Sequence, residues 1–355
     1  MLPLAKVRLD GALKKLTECV ETGWISSQGP FVREFEEEFA RWVGAAHAVS
    51  CSSGTAALHL ALKALGIGPG DEVLVPSFTF IATANAVTYC GARPVFCDVD
   101  ADTWCIDVDD ATRKATERTK AIIPVHINGY PARIECLKEV AKRWPQPIHI
   151  VEDDCQALGS TWFGRKLGTV GDIGCFSFFA NKHLTTGEGG MCVTDAAGLA
   201  RTMRTLRDHG RTGTRFYVHD VVGFNYRMTN LQAAVGLAQL PGLEEEVGRR
   251  KRLNAKWRQE LGRTQPETSL QSPWLYHRRL ENGKQVFEAL SRMEAAGVQS
   301  KPFFIPCHKQ RPYDDGKTYL PVAEGLHGIM LPLHDGVTDE HISLVKETLA
   351  SAIAV

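Results

Sequence analysis

The sequence predicts an α/β protein built on a largely parallel β-sheet with helices on both faces. Between residues 45 and 195, short apolar runs of strand length alternate with segments of helical periodicity. Such alternation is typical of parallel strands joined by crossover helices. The chain has 355 residues with a hydrophobic content of 44%, which is enough for a large buried core. From about residue 240 the pattern changes, so we divide the chain into a large domain, 1–240, and a smaller C-terminal α+β domain, 241–355.

The elements follow in order along the chain. An amphipathic helix at 9–22 precedes the loop GWISSQGP and a second helix at 31–44 with aromatic residues at helical spacing. We predict strands at 46–51, 72–76, 94–98, 121–127, 148–152, 173–179 and 191–194. We predict helices at 55–65, 81–89, 108–116 and 134–143. Residues 196–260 are mostly helical, with a polar loop at 209–220. Beyond them we expect a strand at 274–280, a helix at 283–296 and a final helix after Thr338, where TDEH is a helix-start signal.

Composition excludes several classes of protein. The formal net charge of +0 gives no support for binding nucleic acid or an anionic membrane. The N-terminus lacks a secretory signal, and no apolar run approaches the roughly 20 residues of a membrane span. The ten cysteines are scattered without a CxxC pair, which indicates reduced thiols in a cytoplasmic protein. The histidines show no ligand spacing, so we expect no metal.

The stretch DIGCFSFFANKHLTTGEGGMCVTD, residues 172–195, predicts a strand, a tight loop and a second strand. Its loop holds one lysine, Lys182. An amine between two buried strands has restricted hydration, which lowers its pKa and allows it to attack a carbonyl. The stretch alone leaves open an exposed turn lysine. Ser177, near the end of the first strand, has a hydroxyl that can reach a phosphate.

Two further groups follow strand ends, where ligands bind in such sheets. Ser53, Gly54 and Thr55 open a helix whose unpaired N–H groups favour an anion, although an ordinary helix cap would have the same residues. Phe80 follows the next strand and can stack on a planar ring, although core packing is the simpler role for a phenylalanine.

A cluster of three acids, Glu152, Asp153 and Asp154, ends another predicted strand. Asp153 is placed to keep a pyridine nitrogen protonated, and Gln156 to donate to a ring oxygen. An Asx-type cap would explain one acid but not the cluster. A lysine for an imine, a carboxylate for a pyridinium and a helix N-terminus for a phosphate together describe a site for pyridoxal 5′-phosphate, PLP.

Several long motifs occur in order: SGTAALHLAL, GDEVLVPSFTFIATANAV, PVFCDVD, VEDDCQALGS, FSFFANKHLTTGEGGM and GFNYRMTNLQAA. In this order they resemble the DegT/StrS family of nucleotide-sugar aminotransferases, and the resemblance extends from GWISSQGP to LPLHDGVTDE. It implies fold type I of the PLP-dependent enzymes, with a mostly parallel sheet of seven strands. It also implies an obligate homodimer with shared active sites.

The resemblance implies a role for each matching residue. Lys182 is the Schiff-base lysine and Asp153 the pyridinium partner. Gln156 contacts the ring oxygen of the cofactor, and Phe80 covers its ring. The residues implied to hold the phosphate are Ser53, Gly54, Thr55, Ala56 and Ser177. In GFNYRMT, Asn225 or Arg227 is implied to reach the phosphate site of the neighbouring subunit.

Within the family, GWISSQG and KPFFIPCH are most similar to members that aminate C4 of GDP-4-keto-6-deoxymannose with glutamate as donor. The residues expected at the sugar are Trp24, Ser26, Ser27, Phe304 and His308, together with Phe303. Lys301 and Arg133 depart from the usual motifs and leave the sugar open. The alternatives are another UDP- or dTDP-linked 3- or 4-keto sugar, or a sensor protein without turnover. A dehydratase of this fold would carry histidine in place of Lys182.

Overall fold

The computed structural model describes residues 1–212, 217–262 and 264–353, so the predicted loop at 209–220 lies partly outside it. In chain order the strands are β1 (His47–Cys51), β2 (Glu72–Pro76), β3 (Arg93–Cys97), β4 (Thr119–Ile122), β5 (His149–Asp153), β6 (Thr161–Trp162), β7 (Arg165–Lys166), β8 (Ile173–Ser177), β9 (Gly190–Thr194), β10 (Tyr276–Leu280), β11 (Lys301–Pro302) and β12 (His327–Leu331). The helices are α1 (Ala12–Thr22), α2 (Pro30–Val43), α3 (Gly54–Ala64), α4 (Ala82–Tyr89), α5 (Val108–Lys114), α6 (Ile134–Lys142), α7 (Ala197–Arg207), α8 (Asn230–Gln239), α9 (Leu243–Leu261), α10 (Gly283–Ala295), α11 (Pro321–Glu324) and α12 (Asp339–Ile353).

Seven strands form the large sheet in the order β1-β9-β8-β5-β4-β2-β3. The pairs from β8 to β3 are parallel, whereas β9 runs antiparallel to both β1 and β8. The C-terminal ends of the other six strands therefore lie at one edge of the sheet, where ligands bind in folds of this kind. The predicted largely parallel sheet is confirmed.

Apolar residues cover both faces of this sheet. On one face, α3, α4 and α7 pack on strand residues such as Val49 and Cys175. On the other, α2 and α8 pack on Phe176 and Met191, and α5 and α6 pack further along on Ile122. Successive residues of a strand point to opposite faces, so Cys175 and Phe176 belong to different layers. This double cover explains why the strands have almost continuous apolar runs.

A second sheet has the order β10-β12-β11, with antiparallel pairs, and packs on α10 and α12. The long helix α9 joins it to the large sheet, because Leu243 packs under the large sheet and Trp257 under the small one. A division of the chain at residue 240, just before α9, stays our proposal. Among the described residues, no helix combines the length and apolar character needed to span a bilayer.

The strand predicted at 121–127 is wrong in its length. β4 ends at Ile122, and the chain forms a short 3-10 turn at Ile127–Gly129. Pro124 has no N–H to donate to a neighbouring strand, so regular pairing stops there. Asn128 then has a positive φ of 53°, which an extended strand excludes.

Candidate active site

A cavity of about 420 Å³ opens where several strands of the large sheet end. Its wall contains residues that follow β1, β2, β5 and β8, since the ends of parallel strands meet at one edge. The predicted residues that line it are Ser53, Gly54, Thr55, Phe80, Asp153, Gln156, Ser177, Lys182 and Phe304. Ala56 follows them into α3 and is buried.

Lys182 lies in the loop between β8 and β9, which pair with Ser177 opposite Gly190. Its backbone N–H donates to the Phe179 carbonyl at 3.0 Å. The Nζ atom lies 3.8 Å from the ring centroid of Trp274, a residue that the sequence did not indicate. Burial lowers the pKa of the Lys182 amine to about 8, against the opposing effects of Cys155 and Asp153. An amine with this pKa both accepts and releases a proton near neutral pH.

Asp153 is the last residue of β5, and its side chain is buried. Its Oδ2 accepts a hydrogen bond from the Thr83 hydroxyl at 2.9 Å. Its Oδ1 accepts the backbone N–H of Cys155 at 3.1 Å. These two bonds fix the carboxylate at the cavity wall. The role of Thr83 was missed from the sequence, because no local pattern shows that α4 packs beside the end of β5.

The other two acids of the cluster, Glu152 and Asp154, have surroundings different from those of Asp153. Glu152 accepts N–H groups from the 168–171 loop and the Nε2–H of His126 at 3.2 Å. His126 donates there because its Nδ1 accepts a backbone N–H. Burial raises the pKa of Asp154 well above its usual value, and the charges of Glu152 and Asp153 add to this. His126, Glu152 and Asp154 lie close together, but the Glu152 oxygens are already taken by hydrogen-bond donors.

The N-terminus of α3 is packed tightly against the end of β8. A Cβ atom at Gly54 would lie 2.7 Å from Cβ of Ser177 and 2.8 Å from Sγ of Cys155, so only glycine permits this approach. Ser53 caps the helix, and its Oγ accepts the N–H of Ala56 at 3.1 Å. The other N–H groups of the first turn have no partner within the helix. Together with the Ser177 hydroxyl they form a cradle suited to a phosphate.

Gln156 and Phe80 complete the wall. The Gln156 Oε1 accepts the backbone N–H of Asn128 at 2.8 Å. This bond assigns the amide orientation and leaves Nε2 as a donor for a ligand oxygen. The Phe80 ring is 56% exposed, and its centroid lies 6.0 Å from that of Phe304. Asn128, which was also missed, holds Gln156 from a loop distant in the sequence.

These groups fit PLP. The cofactor needs an amine for its aldehyde, an acceptor for its ring N–H, a donor for its ring oxygen and a cradle for its phosphate. Lys182, Asp153, Gln156 and the Gly54 turn supply them from the wall of one cavity.

Five of the predicted residues, from two segments, lie outside this cavity. Trp24, Ser26 and Ser27 belong to the loop before α2, where Trp24 is 51% exposed. Asn225 is exposed, and Arg227 forms an ion pair with Asp208. The cavity of a single chain therefore does not include them.

His308, expected at the sugar, does not line this cavity. Its side chain is 1% exposed, with Nδ1 2.6 Å from the Ser77 hydroxyl and Nε2 2.9 Å from Oε1 of Glu324. Both ring nitrogens are thus occupied behind the wall. Phe303 is likewise buried, so Phe304 alone of that pair faces the cavity.

Comparison with known proteins agrees with this geometry. The family model of the DegT/DnrJ/EryC1/StrS aminotransferase family matches residues 10–350. A GDP-perosamine synthase from Caulobacter vibrioides is 45% identical over 98% of this chain and 97% of its own. A UDP-N-acetyl-3-dehydro-alpha-D-glucosamine 3-aminotransferase from Acidithiobacillus ferrooxidans is 41% identical over 89% of this chain and 87% of its own. The PLP form of a sugar aminotransferase from Streptococcus pneumoniae superposes with a TM-score of 0.92 at 28% identity, covering 100% of this chain and 98% of that one. The chain belongs to the DegT/DnrJ/EryC1/StrS aminotransferase family, a family of PLP-dependent sugar aminotransferases.

Proposed function

We propose that this enzyme transfers an amino group from glutamate to C4 of GDP-4-keto-6-deoxymannose and so forms GDP-perosamine. The observation that carries the proposal is the 45% identity, along almost the full length of both chains, to a protein named GDP-perosamine synthase. The cavity supports it, because Lys182 and Asp153 line the same wall.

We assign the proton transfers to Lys182. When bound, PLP carries the amino group between the two substrates and withdraws electrons from the reacting carbon. The Lys182 amine takes a proton from the reacting carbon of the amino donor in the first half of the reaction. In the second half it gives a proton to the reacting carbon of the sugar. Its lowered pKa favours both transfers. Asp153, fixed by Thr83, maintains a positive charge at the cofactor's ring nitrogen through a charge-assisted hydrogen bond.

The remaining wall residues bind and orient. We assign the phosphate to Ser177 and the turn from Ser53 to Ala56, where the Gly54 backbone approaches closely. We assign the donor group of Gln156 to the ring oxygen, since its own oxygen is held by Asn128. Phe80 is proposed to cover the ring and exclude water.

We further propose that the active enzyme is a cytoplasmic homodimer with shared sites. The residues expected to touch substrate or phosphate from the loop before α2 and from GFNYRMT do not line the cavity of their own chain. Several of them are exposed, including Trp24 and Asn225. Placing them at the cavity of a second copy would account for both facts.

The test is amination by the purified protein. It is incubated with PLP, glutamate and a panel of GDP-, UDP- and dTDP-linked 3- and 4-keto sugars, and products are identified by mass spectrometry. We expect amination of the GDP-linked 4-keto-6-deoxy sugar and none with Lys182→Ala. Amination of UDP- or dTDP-linked sugars alone would overturn the proposed sugar. Amination of none, with no cofactor absorbance, would overturn the activity.

A further inference from the structure

Arg250 lies in the middle of α9, where its side chain is buried. It borders a second cavity, of about 200 Å³, which Lys182 also borders. Its guanidinium donates from Nη1 to the Trp274 carbonyl at 2.7 Å and from Nη2 to the Lys182 carbonyl at 3.4 Å. Its Nε donates to Oε1 of Glu246, one helical turn earlier, at 2.8 Å. One side chain thus joins two loops that are far apart in the sequence.

Trp274 completes the connection from the other end. Its indole Nε1–H donates to the Asn181 carbonyl at 3.1 Å, next to Lys182. Its ring face lies 3.8 Å from the Lys182 Nζ. Trp274 is therefore bound to the lysine loop through its side chain and to Arg250 through its carbonyl. These contacts form one network that links α9, Trp274 and the lysine loop.

This network depends on the shape of the arginine side chain. A guanidinium is planar and presents five N–H donors, whereas a lysine ammonium on a flexible stem cannot hold two carbonyls and a carboxylate in the same way. Burial of a charged side chain is costly unless it is paired and hydrogen-bonded, and Glu246 and the two carbonyls meet that need. An aromatic face also attracts an ammonium group, so the indole is a suitable platform for the amine.

We propose that Arg250 is a positioning residue, which holds the lysine loop against Trp274 so that the Lys182 amine keeps its place in the cavity wall. The inference rests on the proposed role of Lys182 as proton carrier and does not depend on the identity of the sugar. The ionisable groups that act on the amine are Cys155, Asp153 and Arg250 itself, and His183 is next to it in the chain.

The first readout uses cofactor-free protein. Arg250→Lys keeps the charge but loses the planar guanidinium, and the matched control Arg252→Lys makes the same change at an exposed position of the same helix. The rate of Lys182 acetylation is followed against pH by mass spectrometry of its peptide. We expect half-labelling near pH 8 in the wild type. The Arg250→Lys midpoint should rise by about one unit, because burial is the largest cause of the lowered pKa and the hydration that a loosened amine gains outweighs the lost attraction of the Trp274 ring. The control should match the wild type.

The second readout is catalysis with PLP bound. A misplaced amine should lower kcat for Arg250→Lys about tenfold or more, with KM for the nucleotide sugar within about twofold. Unchanged labelling and unchanged kcat would overturn the proposal. A labelling shift without amination of any tested sugar would contradict the proposed function and leave this inference standing.

A second pair of variants tests the same inference if the Arg250→Lys protein does not fold. Trp274→Phe keeps an aromatic face under the amine, and Trp274→Leu removes it. We expect the leucine variant alone to move the labelling midpoint, downward, because the ammonium loses the attraction of the ring. No shift in the leucine variant, or equal shifts in both, would overturn the proposal.

Discussion

The carboxylate of Asp153, at the end of the strand β5, accepts a hydrogen bond from a hydroxyl of the helix α4. Thr83, in the first turn of α4, donates to Oδ2 at 2.9 Å, and the Cys155 N–H donates to Oδ1. The carboxylate cannot rotate without losing both bonds. The carboxylate that we assign to the cofactor's ring nitrogen is therefore oriented before any ligand binds.

We predict that Thr83→Val weakens PLP binding by about 1 kcal/mol, roughly fivefold in Kd, because a buried oxygen loses its donor. Titration of cofactor absorbance measures this affinity. Thr83→Ser, which retains the hydroxyl, serves as the control and should bind as the wild type does. Equal affinities of the valine and serine variants would contradict the assigned role.

Gly54 has no room for a side chain. The alanine methyl would overlap Ser177 and Cys155, at 2.7 and 2.8 Å, so the helix tip must move away from the cradle. We predict that Gly54→Ala lowers PLP affinity at least tenfold and destabilises the fold by about 1–3 kcal/mol. Gly198→Ala, which would meet nothing within 4 Å, is the matched control. A Gly54→Ala protein with normal affinity would show that the phosphate lies elsewhere.

Among the elements, β2 is anchored at its start by a buried acid. Burial acts to raise the pKa of Glu72, but hydrogen bonds from Thr116, Arg93 and Arg118 outweigh it and lower the pKa to about 2. Because the folded pKa is below the unfolded value, this stabilisation is present above about pH 4.5 and is lost as the pH falls towards 2.

We predict that Glu72→Gln lowers the free energy of unfolding by about 2 kcal/mol at neutral pH, allowing for the solvent exposure of both arginines. The difference from the wild type should shrink as the pH approaches the folded pKa. Urea unfolding at several pH values measures it, with the exposed Glu117→Gln as control. A difference that does not change with pH would contradict the electrostatic explanation.

The loop before α2 is attached to α8 through one side chain. Asn230 is fully buried at the first position of α8. Its Oδ1 accepts the Phe31 N–H at 2.8 Å, and its Nδ2 donates to the Trp24 carbonyl at 2.6 Å. Both ends of the loop that carries Trp24 are therefore fixed by one amide.

Asn230→Asp keeps the size but replaces the donor with a buried acceptor. We expect the melting temperature to fall, corresponding to a loss of about 2 kcal/mol or more. We also expect a higher KM for the nucleotide sugar, since the Trp24 loop is proposed to contact it. Asn254→Asp, a similar change on a partly exposed part of α9, controls for the added charge. A normal melting temperature would contradict the anchoring role.

For the molecule as a whole, the shared-site proposal predicts complementation. Lys182→Ala and Arg227→Ala should each be inactive, but a mixture refolded or coexpressed together should regain about a quarter of wild-type activity. Half of the dimers are then mixed, and in each of these one of two sites has both native residues. Activity assays before and after mixing test this. No recovery, with mixed dimers demonstrated, would place Arg227 in its own subunit's site.

The sequence predicts the sheet and much of the cavity wall because those residues follow strand ends, which a parallel sheet brings to one edge. Asp153, Ser177 and Phe80 are examples. It does not reveal Trp274 or Arg250, which reach the site from separate elements and carry no local pattern. The motif around His308 likewise does not show that Ser77 and Glu324 contact both nitrogens of its buried ring.

The reversed direction of β9 has a consequence for the length of the segment that carries Lys182. Because β9 returns alongside β8, residues 178–189 leave the sheet and re-enter it at the same rim. A crossover to a parallel strand would instead need a long connection to the opposite rim. The segment that carries the reactive amine is thus fixed at both ends by adjacent strands, and it contains no helix that could accommodate a change in its length. Adding or deleting even one residue in the segment 178–189 would displace the amine, whereas insertions in the crossover connections would leave it in place.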